Sequence, residues 1–74
     1  VFVSNPINSQ MTIKGLDNKV NKIEVFDLLG KSILERNTMG ASSILIDVNA
    51  LTSGLYLVKL YGETSTLTKK VIKR

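Results

Sequence analysis

Residues 55–61 read LYLVKLY, and this stretch decides the fold class. In an extended conformation alternate side chains point to opposite faces. One face then carries Tyr56, Val58 and Leu60, and the other carries Leu55, Leu57, Lys59 and Tyr61. Because both faces are largely apolar, the run is typical of a strand in the middle of a sheet or under a neighbouring layer. We therefore predict a central β-strand here, with a core on one side of it.

Outward from this strand, short runs of strand-forming residues alternate with turn residues along the whole chain. The further runs are VFV (1–3), MTIK (11–14), KIEVF (22–26), SILE (32–35), SILIDV (43–48) and TLTKKVIKR (66–74). The pattern predicts an all-β protein of about seven short strands with no long helix. Local hairpins in one sheet and a Greek-key sandwich both fit. We favour two antiparallel sheets packed as a sandwich, because one small sheet would leave too much aliphatic surface in water.

Two turns near the start and middle of the chain have clear signals. Asn5 and Pro6 form a turn cluster in which proline fixes its own φ and biases Asn5 toward extended geometry. Asp27 to Lys31 is predicted to close a hairpin. The Asp27 carboxylate is expected to accept backbone N–H groups two or three residues on. Gly30 is expected to take the positive φ that a short bulged loop requires.

The connection before the central strand, DVNALTSG (47–54), is predicted to contain one helical turn. Asp47 or Asn49 is expected to cap that turn, with Leu51 beneath it and Gly54 ending it. Tyr56 then follows inside the strand. We expect its ring to lie in the core and its hydroxyl to remain in water.

The composition argues against catalysis and against metal or cofactor binding. The 74 residues contain no cysteine and no histidine, so neither a thiolate metal site nor a histidine base is available. The six acidic residues are scattered singly, and the glycines form no phosphate-binding loop. We therefore expect no catalytic residue, no metal and no cofactor. Because the first residue is Val1 rather than Met, we also expect residues 1–74 to be a single domain cut from a longer chain, or a processed product.

The last six residues hold most of the net charge of +4. They include Lys69, Lys70, Lys73 and Arg74. One interpretation is protective, because lysines on an edge strand discourage edge-to-edge aggregation. The other is recognition, in which an edge strand adds to a partner's sheet and the charges fix its register. The residues alone favour the protective interpretation. Nucleic-acid binding is weaker still, because the charge is not spread over a face with stacking aromatics.

The order of these motifs resembles a known family. It runs NPINSQMTIKG (5–15), IEVFDLLGKSIL (23–34), IDVNALTSGLYLVKL (46–60) and TLTKKVIKR (66–74). This order is similar to the C-terminal sorting domain, type A, of proteins exported by the type IX (Por) secretion system. The resemblance covers essentially the whole chain and implies a small immunoglobulin-like β-sandwich.

The resemblance also assigns residues. It implies structural roles for Asn5, Pro6, Asp27, Gly30, Asp47, Leu51, Gly54 and Tyr56, and a match of Leu28 and Lys31 to the family's hairpin. It implies a partner-recognition role for the terminal Lys69, Lys70, Val71, Ile72, Lys73 and Arg74. One departure is visible: the family has Tyr-Pro before its Asn-Pro pair, and this chain has Val3 and Ser4 there.

The implied function is a non-catalytic sorting signal on a cargo protein, and this favours recognition over protection for the basic end. The partners would be an outer-membrane translocon or shuttle protein, a surface sortase that removes the domain, and the cargo domain in the same chain. The cargo would be secreted or held at the surface of a Gram-negative bacterium. The alternative is a structural or carbohydrate-binding β-sandwich module. We also expect that the last strand can pair with a second copy of the isolated domain.

Overall fold

The computed structural model describes residues 2–16, 20–38, 40–63 and 65–74. They form seven antiparallel strands and no helix, so the predicted all-β class is confirmed. The strands are β1 (Phe2–Val3), β2 (Gln10–Lys14), β3 (Val20–Phe26), β4 (Ser32–Asn37), β5 (Ser43–Asp47), β6 (Gly54–Gly62) and β7 (Thr66–Lys73).

The strands build two sheets that face each other. One sheet has the order β1-β2-β5, and the other has the order β4-β3-β6-β7. The chain stays within a sheet at β1–β2, β3–β4 and β6–β7, and it crosses between the sheets at β2–β3, β4–β5 and β5–β6. This is the small immunoglobulin-like sandwich that the sequence predicted, with strands exchanged between two antiparallel sheets.

The core follows the alternation of side chains along each strand. Met11 and Ile13 of β2 are completely buried, and Ile23 and Val25 of β3 face them from the other sheet. In β6 the predicted inward face is confirmed: Tyr56, Val58 and Leu60 are buried, and the alternate residues are half-buried. β6 lies between β3 and β7, as its apolar faces indicated. Burial of this aliphatic surface drives folding, because the chain has no disulfide to add.

The β3–β4 hairpin turn is held by the Asp27 side chain. Its Oδ1 atom accepts the backbone N–H of Leu29 at 2.9 Å and that of Lys31 at 3.0 Å. These residues lie two and four positions on, rather than two or three. Gly30 has φ +85°, as the bulged loop predicted, and its N–H donates to the Asp27 carbonyl at 3.1 Å. The turn is therefore held by hydrogen bonds from the N–H groups of Leu29, Gly30 and Lys31 to Asp27.

The β5–β6 connection corrects two predictions. It contains a hydrogen-bonded turn but no helix: Asp47 Oδ1 accepts the Asn49 N–H at 2.9 Å, and the Leu51 N–H donates to the Val48 carbonyl at 3.0 Å. The Tyr56 hydroxyl is not left in water, because it donates to the Thr52 carbonyl at 2.7 Å. This bond from the start of β6 back to the preceding loop is the tyrosine corner of immunoglobulin-like sandwiches.

Replacing Tyr56 by phenylalanine should lower the free energy of unfolding by about 1 kcal/mol, because the hydrogen bond from its hydroxyl to the Thr52 carbonyl is lost. Equilibrium unfolding in urea measures this loss. Tyr61→Phe is the matched control, since its hydroxyl bonds a carboxylate on the outer face. Equal losses of stability in the two variants would show that the tyrosine-corner hydrogen bond contributes no more than the bond between Tyr61 and Glu24.

Candidate functional site

The candidate site is β7, the strand that carries the basic end. It lies at the edge of the four-stranded sheet and pairs with β6 from Thr66 opposite Tyr61 to Lys73 opposite Gly54. Its side chains alternate between two environments. Val71 and Lys73 point into the sandwich and are buried, whereas Lys70 and Ile72 are exposed on the outer face.

The far end of β7 is covered by the Asn-Pro turn, which the sequence did not predict. The Ile72 N–H donates to Asn5 Oδ1 at 2.9 Å, and the Ile72 carbonyl accepts the Ile7 N–H at 2.8 Å. The Arg74 N–H donates to the Ile7 carbonyl at 2.9 Å. Ile7 itself is 2% exposed in the core. The peptide bond between Asn5 and Pro6 is cis. The end of β7 is therefore paired on both sides.

The remaining part of the edge is open. Because the backbone groups of Ile72 point away from β6, those of Lys70, Thr68 and Thr66 also point away from β6 in an antiparallel ladder. No described residue pairs with them on that side. β7 is thus an edge strand as predicted, but the expected unpaired backbone groups extend only from Thr66 to Lys70, because the Asn-Pro turn and Ile7 bond those of Ile72 and Arg74.

The basic side chains differ in how they are displayed. Lys70 and Arg74 are exposed, and Lys69 is half-buried. Lys73 is only 9% exposed, and its Nζ donates to the Arg74 carbonyl at 3.0 Å. Within the described ranges the sole ion pair joins Lys22 and Glu35 at 3.8 Å, so no acidic side chain described there neutralises the end of β7. The exposed cations are therefore available to a partner, whereas the Lys73 ammonium is not displayed.

A polar network crosses the outer face of the same sheet. Glu24 accepts the Ser32 hydroxyl at 2.6 Å and the Tyr61 hydroxyl at 2.8 Å. These two bonds, with the nearby ammonium groups of Lys22 and Lys59, hold the pKa of Glu24 below its usual value. The same bond to Glu24 raises the pKa of Tyr61. The network ties β3, β4 and β6 together on the face that β7 extends.

The residues assigned structural roles gather at one end of the sandwich. Asp27, Leu51 and Tyr56 line a cleft of about 390 Å³ between the hairpin and the β5–β6 connection. Gly54 lies opposite Lys73 in the ladder, and Lys73 bridges to Ile7 just after Asn5 and Pro6. Asp47 ends β5 beside this connection. Motifs that are far apart in the sequence are therefore neighbours beside the end of β7.

A scan against protein families matches residues 4–74 to the secretion system C-terminal sorting domain. The chain belongs to this family. The predicted family is therefore confirmed, and the domain is a C-terminal sorting signal of type IX secretion. It is part of a cargo chain that interacts with the type IX machinery, and that cargo is a secreted or cell-surface bacterial protein. A search of curated proteins found no match.

Three further observations concern aromatic residues, membrane spans and metal ligands. The four aromatic residues of the sorting domain do not form an exposed row: Phe2 lies on the three-stranded sheet, Tyr56 is buried, and Phe26 and Tyr61 are half-buried on the four-stranded sheet. Among the residues with described positions, no helix is long and apolar enough to cross a membrane. No cluster of three potential metal ligands exists in that same part of the chain.

Replacing Asn5 by alanine should lower the stability of the sorting domain by about 1 kcal/mol, because the Ile72 N–H loses its side-chain acceptor. Asn8→Ala is the matched control, since Asn8 is exposed in the same loop. Urea unfolding measures both variants. Equal stability of Asn5→Ala and the parent domain would contradict the role of Asn5 at β7.

The lowered pKa of Glu24 predicts an acid dependence of stability. An unfolded glutamate titrates near pH 4.3, so the contribution is complete above that value and is lost as the pH falls through the lower folded pKa. The melting temperature of the parent domain should therefore fall more steeply below about pH 5 than that of Glu24→Gln. If the melting temperatures of the parent domain and of Glu24→Gln fall in parallel from neutral to acid pH, the stabilising role of the Glu24 carboxylate is contradicted.

Proposed function

We propose that the sorting domain delivers its cargo through the outer-membrane translocon of the type IX system, and that β7 is the element that the translocon or its shuttle protein recognises. The match of residues 4–74 to the sorting-domain family carries this proposal. In this route an ordinary N-terminal signal takes the cargo across the inner membrane of a Gram-negative bacterium, and the domain folds in the periplasm. A surface sortase then removes the domain, which catalyses no reaction itself.

The open edge of β7 supports a specific mode of recognition. The backbone groups of Thr66, Thr68 and Lys70 face outward, so a partner strand can add to this edge by main-chain hydrogen bonds. Lys70 and Arg74 have no acidic partner among the described residues, so they can meet carboxylates on the partner and speed the encounter. Val71 and Lys73 contribute from inside, because they hold the strand on the core.

The test is export of a reporter. A fluorescent protein with an ordinary export signal is fused to residues 1–74 and expressed in a Gram-negative host that has a type IX system. The variant Lys70→Glu with Arg74→Glu should reduce surface and medium fluorescence about tenfold, which corresponds to about 1.4 kcal/mol of lost affinity. Point substitutions are preferable to a truncation, because removing Lys73 and Arg74 also removes their bonds to Gly54 and Ile7.

The matched control is Lys14→Glu with Arg36→Glu. Both residues are exposed on other strands, and either double variant lowers the net charge from +4 to zero. The control should be exported like the parent fusion. Equal loss in both variants would mean that net charge rather than β7 is recognised. A parent fusion that stays in the periplasm would contradict the sorting function itself.

A further inference from the structure

The tip of the β3–β4 hairpin displays two leucines. Leu28 is 64% exposed and Leu29 is 93% exposed. The turn that carries them is held by the Asp27 carboxylate, by the Asp27 N–H donating to the Lys31 carbonyl at 3.0 Å, and by the Gly30 N–H. Such a turn presents its side chains in one fixed arrangement, so little conformational entropy is lost when they are covered.

An apolar patch on the outer face continues from this tip. Phe26, the last residue of β3, lies opposite the half-buried Leu57, and Leu55 lies opposite Ile72, which is 49% exposed. Side chains at paired positions of adjacent strands are in contact range. We name the apolar residues of this end the tip surface: Phe26, Leu28, Leu29, Leu55, Leu57 and Ile72. Contiguous apolar surface of this kind marks interaction sites.

Charged residues of both signs lie near the edge of the tip surface, and lysines predominate. Lys70 lies opposite Leu57, the Lys59 ammonium lies 5.0 Å from the centre of the Phe26 ring, and Lys31 follows the tip. Among the described residues two acids also lie near this edge: Asp27, whose Oδ1 atom accepts the turn N–H groups, and Glu24, which lies opposite Lys59 and accepts the Ser32 and Tyr61 hydroxyls. The tip surface is therefore an apolar patch near which the three lysines outnumber the two acids.

We propose that the tip surface docks a protein partner whose contact surface is an apolar recess edged by carboxylates. The proposal rests on the proposed function and gives the export machinery a second contact beside the β7 edge. Because lysines predominate near the edge of the tip surface, carboxylates around the partner's recess complement its charge. Leu28 and Leu29 fill the recess, and Ile72 joins the tip surface to β7 on the same face.

A protein fits this surface better than an anionic membrane does. Glu24 and Glu35 lie on the same outer face, opposite each other in the β3–β4 ladder and one row beyond Phe26. A uniformly anionic bilayer laid against the sheet would meet these carboxylates together with the lysines. A protein recess of limited extent can contact the basic end and leave the acidic end free.

The test is the reporter export assay with Leu28→Ser and Leu29→Ser in one chain. The matched control is Phe2→Ser with Leu45→Ser, since those residues are 56% and 59% exposed on the other sheet. Export of the tip variant should fall about tenfold relative to the parent fusion, which is the loss expected when central apolar anchors are removed. The control should be exported normally, and thermal melts should show that both variants fold like the parent.

A second arm measures co-sedimentation of the purified domain with phosphatidylglycerol vesicles. Binding by the parent that is lost in the tip variant would overturn the proposal in favour of a membrane surface. Normal export of the tip variant would also overturn the docking proposal. The proposed sorting function would still stand in that case, because the parent fusion is exported. An equal loss of export in the tip variant and in the control would contradict the assignment of partner docking to the tip surface. Failure of the parent fusion to be exported contradicts the proposed function, and this inference with it.

Discussion

The position of β6 between β3 and β7 is the constraint on which the rest of the molecule depends. One face of β6 supplies Tyr56, Val58 and Leu60 to the core, and its two edges pair with the hairpin strand β3 and with β7. A chain of 74 residues without a disulfide has little other means of holding a sheet together. The hairpin turn, the tyrosine corner and the basic strand are each ordered because they adjoin this one strand.

The second constraint is the contact between the two ends of the described chain. Asn5 and Ile72 are 67 positions apart, yet the amide oxygen of one accepts the backbone N–H of the other. Ile7 completes the contact from the core. Such a long-range closure forms only when the two sheets have packed, because it joins the turn between β1 and β2 of one sheet to an edge of the other. The order of β7 thus depends on the whole fold.

The tip surface and the covered end of β7 lie at one end of the sandwich for the same reason. The ends of β3, β5 and β7 and the start of β6 meet there, so the hairpin tip, the tyrosine corner and the basic residues are neighbours. The proposed recognition uses apolar side chains and lysines displayed at this end, together with the open edge of β7, which runs from Lys70 toward Thr66 at the other end of the sheet.

The sequence by itself determined the strands, their inward faces and the hairpin turn, because alternation, turn residues and glycine act over a few neighbouring positions. The order of its motifs was sufficient to assign the family. Only the tertiary structure decided which terminal residues are displayed. Alternation places Lys73 and Lys70 on opposite faces of β7, but which face is buried was decided by the packing of the two sheets. Tertiary structure also decided three other features: the bond from Ile72 to Asn5, the bond from Tyr56 to Thr52 and the tip surface. Each depends on how the packed fold positions its residues, and the local sequence pattern contains no information about such contacts.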